Sequence, residues 1–191
     1  ELEKDFFGLC GYCGKNEYYF YEPFQIDHFA PKSKFDNRKD DYSNLVLACP
    51  QCNRHKSNKW VTEDAYISIK DDKGFIDPAT EEYDNHLHRN NDGEIIADTK
   101  IGEYMHNEFK FNIRPISMIW KVNKLRELKE ILKKDVSEKG RELYQAIDIQ
   151  LDKLLTDLVF KNMCLPLVRG DESLDGMWHM DQVKSAPRKR G

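Results

Sequence analysis

Four of the five cysteines fall in two tight pairs, Cys10-Gly-Tyr-Cys13 and Cys49-Pro-Gln-Cys52. A C-x2-C turn presents two thiolates from one knuckle, and two knuckles complete the tetrahedral sulfur shell that a structural Zn2+ prefers. The 35 residues between Cys13 and Cys49 exceed the usual zinc-ribbon loop of roughly 15 to 20, so the pairs bracket an insertion. That insertion and the residues just after it hold Asp27-His28, Asn53 and Lys56. Asp27 and Asn53 offer oxygen donors suited to a hard divalent cation such as Mg2+ or Mn2+. His28 is a candidate general base, and Lys56, one helical turn after Asn53, is a candidate phosphate clamp. A cation, a base and a phosphate clamp together suit phosphodiester hydrolysis.

These groups need elements to hold them. Gln25 to Phe29 follows the strand-forming aromatics Tyr18, Tyr19, Phe20, Tyr21 and Phe24, and Leu45-Val46-Leu47-Ala48 is a short apolar strand. Ala30 to Ser43, rich in Pro, Asn, Asp and Lys without a period, reads as a loop. Pro50 suits the first turn of a helix running to Lys59. Neighbouring strand residues point to opposite faces, so Asp27 and His28 share a site only where the strand ends or bends.

Taken together, Cys10-x2-Cys13, Asp27-His28, Pro31, Asn44-Leu45, Cys49-x2-Cys52-Asn53 and Lys56 resemble the HNH nucleases of the ββα-metal, or His-Me finger, superfamily. The resemblance covers about residues 8 to 60. It implies His28 as general base, Asp27 and Asn53 as ligands of the catalytic cation, Asn44 as the residue that holds the loop and orients His28, and Cys10, Cys13, Cys49 and Cys52 as ligands of a structural zinc. Asn53 stands where many relatives carry a third His.

The chain is net acidic, with 30 Lys and Arg against 34 Asp and Glu, which excludes a globally basic nucleic-acid binder. Between His28 and Trp60, however, seven basic residues face three acidic ones. Lys32, Lys34, Arg54, Lys56 and Lys59 are therefore the expected nucleic-acid contacts, with DNA as substrate and RNA left open. From Val61 to Tyr104 the balance reverses to four basic and twelve acidic residues. His86 and His88, at alternate positions there, read as surface histidines before ligands. Cys164 reads as a small core residue, and the basic end with Lys184, Arg188, Lys189 and Arg190 as a mobile tail.

Beyond Pro115, apolar residues spaced three or four apart predict two amphipathic helices, a hairpin over about 115–164 broken at Gly140 by a C-cap. The expected fold is α+β: a zinc-stapled ββα-metal core at 1–62 and a mainly helical extension at 63–191. The whole order also resembles the HNH subunits found beside ATPases in Septu-type or retron-associated anti-phage systems. That resemblance implies a defence nuclease held by a protein partner, such as an ATPase or effector complex, through the helical extension. An HNH domain of a CRISPR effector, or a zinc-ribbon module that binds nucleic acid or protein without cutting, are the alternatives. No run of roughly 18 apolar residues and no signal-like opening is present, so a cytoplasmic protein without membrane contact is expected.

Overall fold

A computed structural model describes residues 1–16 and 23–160. Tyr18 to Tyr21, Cys164 and the basic tail lie outside the described residues. The first knuckle, between Leu9 and Asn16, turns back on itself: the Cys10 amide donates to the Lys15 carbonyl and the Gly14 amide to the Cys10 carbonyl, each at 2.8 Å. Gly14 takes φ +63°, a left-handed conformation that costs a glycine little. Gly11 serves a different need, because a β-carbon there would lie 2.7 Å from Phe6 Cε1 and 2.9 Å from Val46 Cγ1. The knuckle thus sits flush against the helix α1 (Leu2–Asp5) and the strand behind it.

Strands β1 (Gln25–His28) and β2 (Leu45–Ala48) pair antiparallel, with Asp27 opposite Val46 and His28 opposite Leu45. The connecting loop contains two short 3-10 turns, Asp36–Arg38 and Tyr42–Asn44, where the sequence suggested irregular chain. Helix α2 (Pro50–Lys56) follows β2 directly and completes a ββα unit. Its N-terminus is capped by Cys49, whose sulfur accepts from the Cys52 amide at 3.4 Å. It ends at Lys56, three residues short of the expected Lys59, where Ser57 takes φ +51° as the C-cap.

After α2 come two small hairpins, β3 (Ile69–Lys70) with β4 (Lys73–Gly74) and β5 (Leu87–Arg89) with β6 (Ile95–Ala97), then helix α3 (Lys100–Glu108). One hydrophobic cluster runs from Leu2 through the cysteines and Val46 to Phe75, Met105, Phe109, Phe111 and Ile116. The Tyr12 ring of the knuckle lies 4.8 Å from that of Phe109, and Phe75 packs edge-on to Phe109 at 5.5 Å. Each such ring contributes roughly 2 to 3 kcal/mol by burial. The packing therefore crosses residue 62, where the sequence suggested a domain boundary: about fifty residues beyond it close the core of the ββα unit. An isolated ββα unit is too small to cover its own apolar face, which is the physical reason.

Helices α4 (Ile116–Leu132) and α5 (Glu138–Phe160) form the expected hairpin around a second cluster of Ile119, Val122, Ile147, Leu151 and Leu158. Gly140 is not a C-cap. It lies in the first turn of α5, its amide donating 3.0 Å to Ser137 Oγ, while α4 has already ended at Leu132. A β-carbon on Gly140 would meet the Asp135 carboxylate at 2.5 Å, so the glycine serves close approach in the inter-helix turn. Ile131, Val136, Leu143 and Ile149, read from the sequence or lying on these helices, remain exposed.

Candidate active site and metal centre

The sulfurs of Cys10, Cys13, Cys49 and Cys52 all lie within 4.8 Å of one another, and all four residues are buried. Cys13 and Cys49 are 3.8 Å apart, far beyond a disulfide bond of about 2.05 Å. A zinc–sulfur bond near 2.3 Å implies tetrahedral sulfur–sulfur edges of about 3.8 Å, so the cage fits a structural zinc. Burial pushes the Cys10 and Cys52 thiols well up. Burial also opposes ionisation of Cys13, but hydrogen bonds from the other three sulfurs and the nearby Arg114 hold it well below the usual thiol range.

Strand alternation sends Asp27 and His28 to opposite sides of β1. The Asp27 carboxylate turns into the core, 5% exposed, where Tyr12 Oη donates to Oδ2 at 2.5 Å. Lys56 Nζ lies 3.2 Å from Oδ2 and 3.4 Å from Oδ1 and also donates to the His28 carbonyl at 3.1 Å. Burial pushes the Asp27 carboxyl up while Lys56 and Tyr12 pull it back, and burial likewise lowers the Lys56 ammonium against the pull of Asp27. Lys56 is thus corrected: it is 0% exposed, a buried counter-ion and not a phosphate clamp. Its place on the helix face that covers β1, not its charge, decides this.

His28 is half-buried at the end of β1, with Nε2 3.0 Å from the Lys39 carbonyl. A carbonyl only accepts, so Nε2 carries the proton and the neutral ring keeps Nδ1 as its basic nitrogen. Asn44, 0% exposed, staples the loop that supplies this carbonyl. Its Oδ1 accepts from the Ala30 amide at 2.8 Å, and its Nδ2 donates to the carbonyls of Ala30 at 3.0 Å and Arg38 at 3.1 Å. The bonds of the Asn44 side chain go to backbone and not to the imidazole: they fix Ala30 after His28 and Arg38 before the Lys39 carbonyl. Arg38 extends the brace through Asp41, at 2.7 Å, and the Ala65 carbonyl, at 3.4 Å.

Asn53 is half-buried on α2, and its Nδ2 donates to Gln25 Oε1 at 2.7 Å. Gln25 and Asp27 share one face of β1, as Asn53 and Lys56 share one face of α2, so the two helix residues meet different strand residues. The donor types of Asp27 and Asn53 suit a hard cation. In this arrangement the fit is incomplete at Asp27, whose oxygens face Tyr12 and Lys56.

Lys32, Lys34, Arg54 and Lys59 are exposed. Lys34 donates to the Trp60 carbonyl at 3.4 Å and Lys59 pairs with Glu108 at 2.5 Å. His55, half-buried on the same helix, has its pKa lowered by burial and by Arg114, Lys59, Lys110 and Arg54, which marks this flank as positive. His86 bonds Thr99 at 2.7 Å and His88 bonds Asp98 at 2.6 Å, both local ties within the β5–β6 region. Sequence reasoning missed Tyr12, Arg38 and Arg114. Tyr12 carried a usable signal, a hydroxyl-bearing aromatic inside a knuckle; Arg114, remote in sequence, carried none.

Residues 10–59 match the HNH family, described as HNH endonuclease. The matched stretch begins and ends with the two knuckles and the ββα unit, so the chain carries an HNH endonuclease domain, which makes it an enzyme of the phosphodiester hydrolase class. An HNH nuclease implies a DNA substrate. No curated protein and no solved structure matches the chain. Among the described residues no helix is long and apolar enough to cross a membrane.

Proposed function

We propose that the protein is a metal-dependent endonuclease that hydrolyses phosphodiester bonds in DNA, with His28 as general base. The observation that carries this reading is the bond from His28 Nε2 to the Lys39 carbonyl, which leaves Nδ1 as the proton acceptor. Nδ1 takes a proton from water, the water oxygen bonds to phosphorus, and the bond to the leaving sugar oxygen breaks with its electron pair kept on that oxygen, which takes a proton from solvent while His28 returns its own to solvent. Asn53 and Asp27 are the oxygen donors that would hold Mg2+ or Mn2+, which would supply charge neutralisation at the phosphate; for this Asp27, which here faces away from His28, has to exchange its bonds to Tyr12 and Lys56 for the cation. Asn44 keeps the His28 loop in place. Lys32, Lys34 and Arg54 offer exposed positive charge for the backbone, joined by Lys59 once a phosphate replaces Glu108, while Lys56 acts from within by holding Asp27 in the free protein.

A role as a nuclease effector in anti-phage defence rests on the resemblance of the whole chain order to Septu-type and retron-associated subunits. Exposed Ile131, Val136 and Leu143 near the turn between α4 and α5 support a protein partner there. The enzymatic reading is tested by Mg2+-dependent nicking of plasmid DNA with the wild-type chain and His28→Ala. The variant should fold, keep its zinc and lose on the order of a hundredfold or more in rate. A folded variant that cuts at a near wild-type rate would remove His28 from the mechanism.

A further inference from the structure

Arg114 lies in the connection between α3 and α4, about sixty residues after Cys52, yet its guanidinium faces the four-cysteine cluster. Nη1 lies 3.3 Å from Cys52 Sγ, and Nη2 lies 3.5 Å from Cys49 Sγ and 3.7 Å from Cys13 Sγ. A second bond from Nη1 to the Phe109 carbonyl, at 3.0 Å, fixes the plane of the group. Its Nε is buried with no hydrogen-bond partner, and among the described residues no carboxylate pairs with it. Arg114 as a whole is half-buried, but a guanidinium whose Nε is sealed from solvent is costly without a counter-charge, so the sulfurs are what this one answers.

Four thiolates around Zn2+ leave a dianionic cluster in a site from which water is excluded. An arginine suits that charge better than a lysine, because its planar fork stays protonated and offers several N–H donors at once. Arg89 makes the contrast plain. It is also half-buried beside the cluster, but its Nη2 donates 2.7 Å to the Cys13 carbonyl and its Nη1 2.6 Å to the Gly93 carbonyl, not to sulfur.

We propose that Arg114 is an outer-shell cation of the metal site, a positioning residue that donates to three of the four sulfurs and offsets part of their charge. Zinc retention then belongs to the fold as far as residue 114, not to the two knuckles alone. The segment after α3 is consequently part of the metal centre. The inference rests on the reading of the four cysteines as a zinc site, and the experiment separates the two.

The zinc content of the purified full chain is measured first; wild-type protein without zinc rejects the zinc site itself. With zinc present, release to excess chelator is timed with a coloured indicator for the wild type, Arg114→Gln and Arg89→Gln. The Arg114→Gln protein should release zinc about 10- to 100-fold faster. Cobalt-substituted protein supplies a readout that mere loosening would not move. Without the N–H donors the sulfur electrons are easier to remove, so the sulfur-to-cobalt charge-transfer band should shift to lower energy in Arg114→Gln and stay in place in Arg89→Gln. If Arg114→Gln does not fold, Arg114→Lys decides, since an ammonium keeps the charge but its single nitrogen cannot take the places of both Nη1 and Nη2; a partial band shift is expected. A wild-type band and release rate in the Arg114 variant, or an equal shift in Arg89→Gln, would overturn the proposal.

Discussion

Replacing Lys56 by Met separates two accounts of this residue. A lysine on an exposed helix face would weaken DNA binding when removed and leave stability alone. The structure predicts the reverse. At 3.2 Å and an effective dielectric near 20, the gross attraction of the pair is about 5 kcal/mol. Removing one partner of a buried pair typically costs about 3 to 5 kcal/mol because the other charge is stranded. Protonation sets a ceiling: neutralising a carboxyl of ordinary pKa near 3.9 at pH about 7 requires roughly 4 kcal/mol, so the loss should lie near 3 to 4. The sign with pH follows from Asp27. Its folded pKa, already raised by burial, rises further without Lys56, so the variant loses stability as pH rises through the window between the unfolded and folded values. The deficit should therefore shrink to about 1.5 kcal/mol or less near pH 5. Urea unfolding of the zinc-loaded protein at both pH values measures this, and Lys56→Met with Asp27→Asn should recover at least half of the loss, the sign of a direct coupling. A Lys56→Met protein within about 1 kcal/mol of wild type, with DNA binding whose salt slope has fallen by about one, would refute the buried-pair argument.

Three further expectations follow from the same geometry. Cys10→Ser or Cys49→Ser should lose zinc and stability together, with cleavage lost as a consequence; elemental analysis alongside thermal melting checks it, and a fully active protein without zinc would contradict it. Asn44→Ala removes three buried side-chain hydrogen bonds and should cost about 2 to 3 kcal/mol while slowing cleavage, although those bonds go to backbone and not to the His28 ring. Comparing kcat with DNA affinity tests this, since an effect on affinity alone would be wrong for a residue that positions the base. Asp41, held at a pKa of about 2 by Ser43 and Arg38, keeps the His28 loop braced as pH falls, and the brace should loosen only as pH drops from the usual carboxylate range near 4 toward about 2. Hydrogen exchange of the Arg38 to Asn44 amides follows it; Asp41→Asn should show the loosening already at neutral pH.

Much of the ββα unit is local and was legible in the order of residues. The strand propensities of Gln25 to His28 and Leu45 to Ala48, the proline opening α2 and the two C-x2-C turns are short-range signals that depend on neighbours in the chain. The cysteine cage was legible too, because tetrahedral sulfur coordination admits few alternatives once two knuckles are present. Helix ends were less so: α2 stops at Ser57 and α4 before Gly140, where the turn geometry and the approach of Asp135 decided what a lone glycine could not announce.

What only the tertiary structure decided are the partners of charged groups. The sequence places Lys56 one turn after Asn53, but whether its ammonium meets solvent or a carboxylate depends on how α2 lies over β1, and there it meets Asp27 and is sealed from water. The core likewise continues past residue 62 because Phe75, Phe109 and Phe111 cover apolar surface that the ββα unit exposes, a long-range contact with no sequence period to betray it. Arg114 is the extreme case. Residue types and spacing named the four sulfurs, whereas the cation that answers their charge comes from a segment brought to them only by folding, since electrostatic neutralisation depends on distance in space and not on distance along the chain.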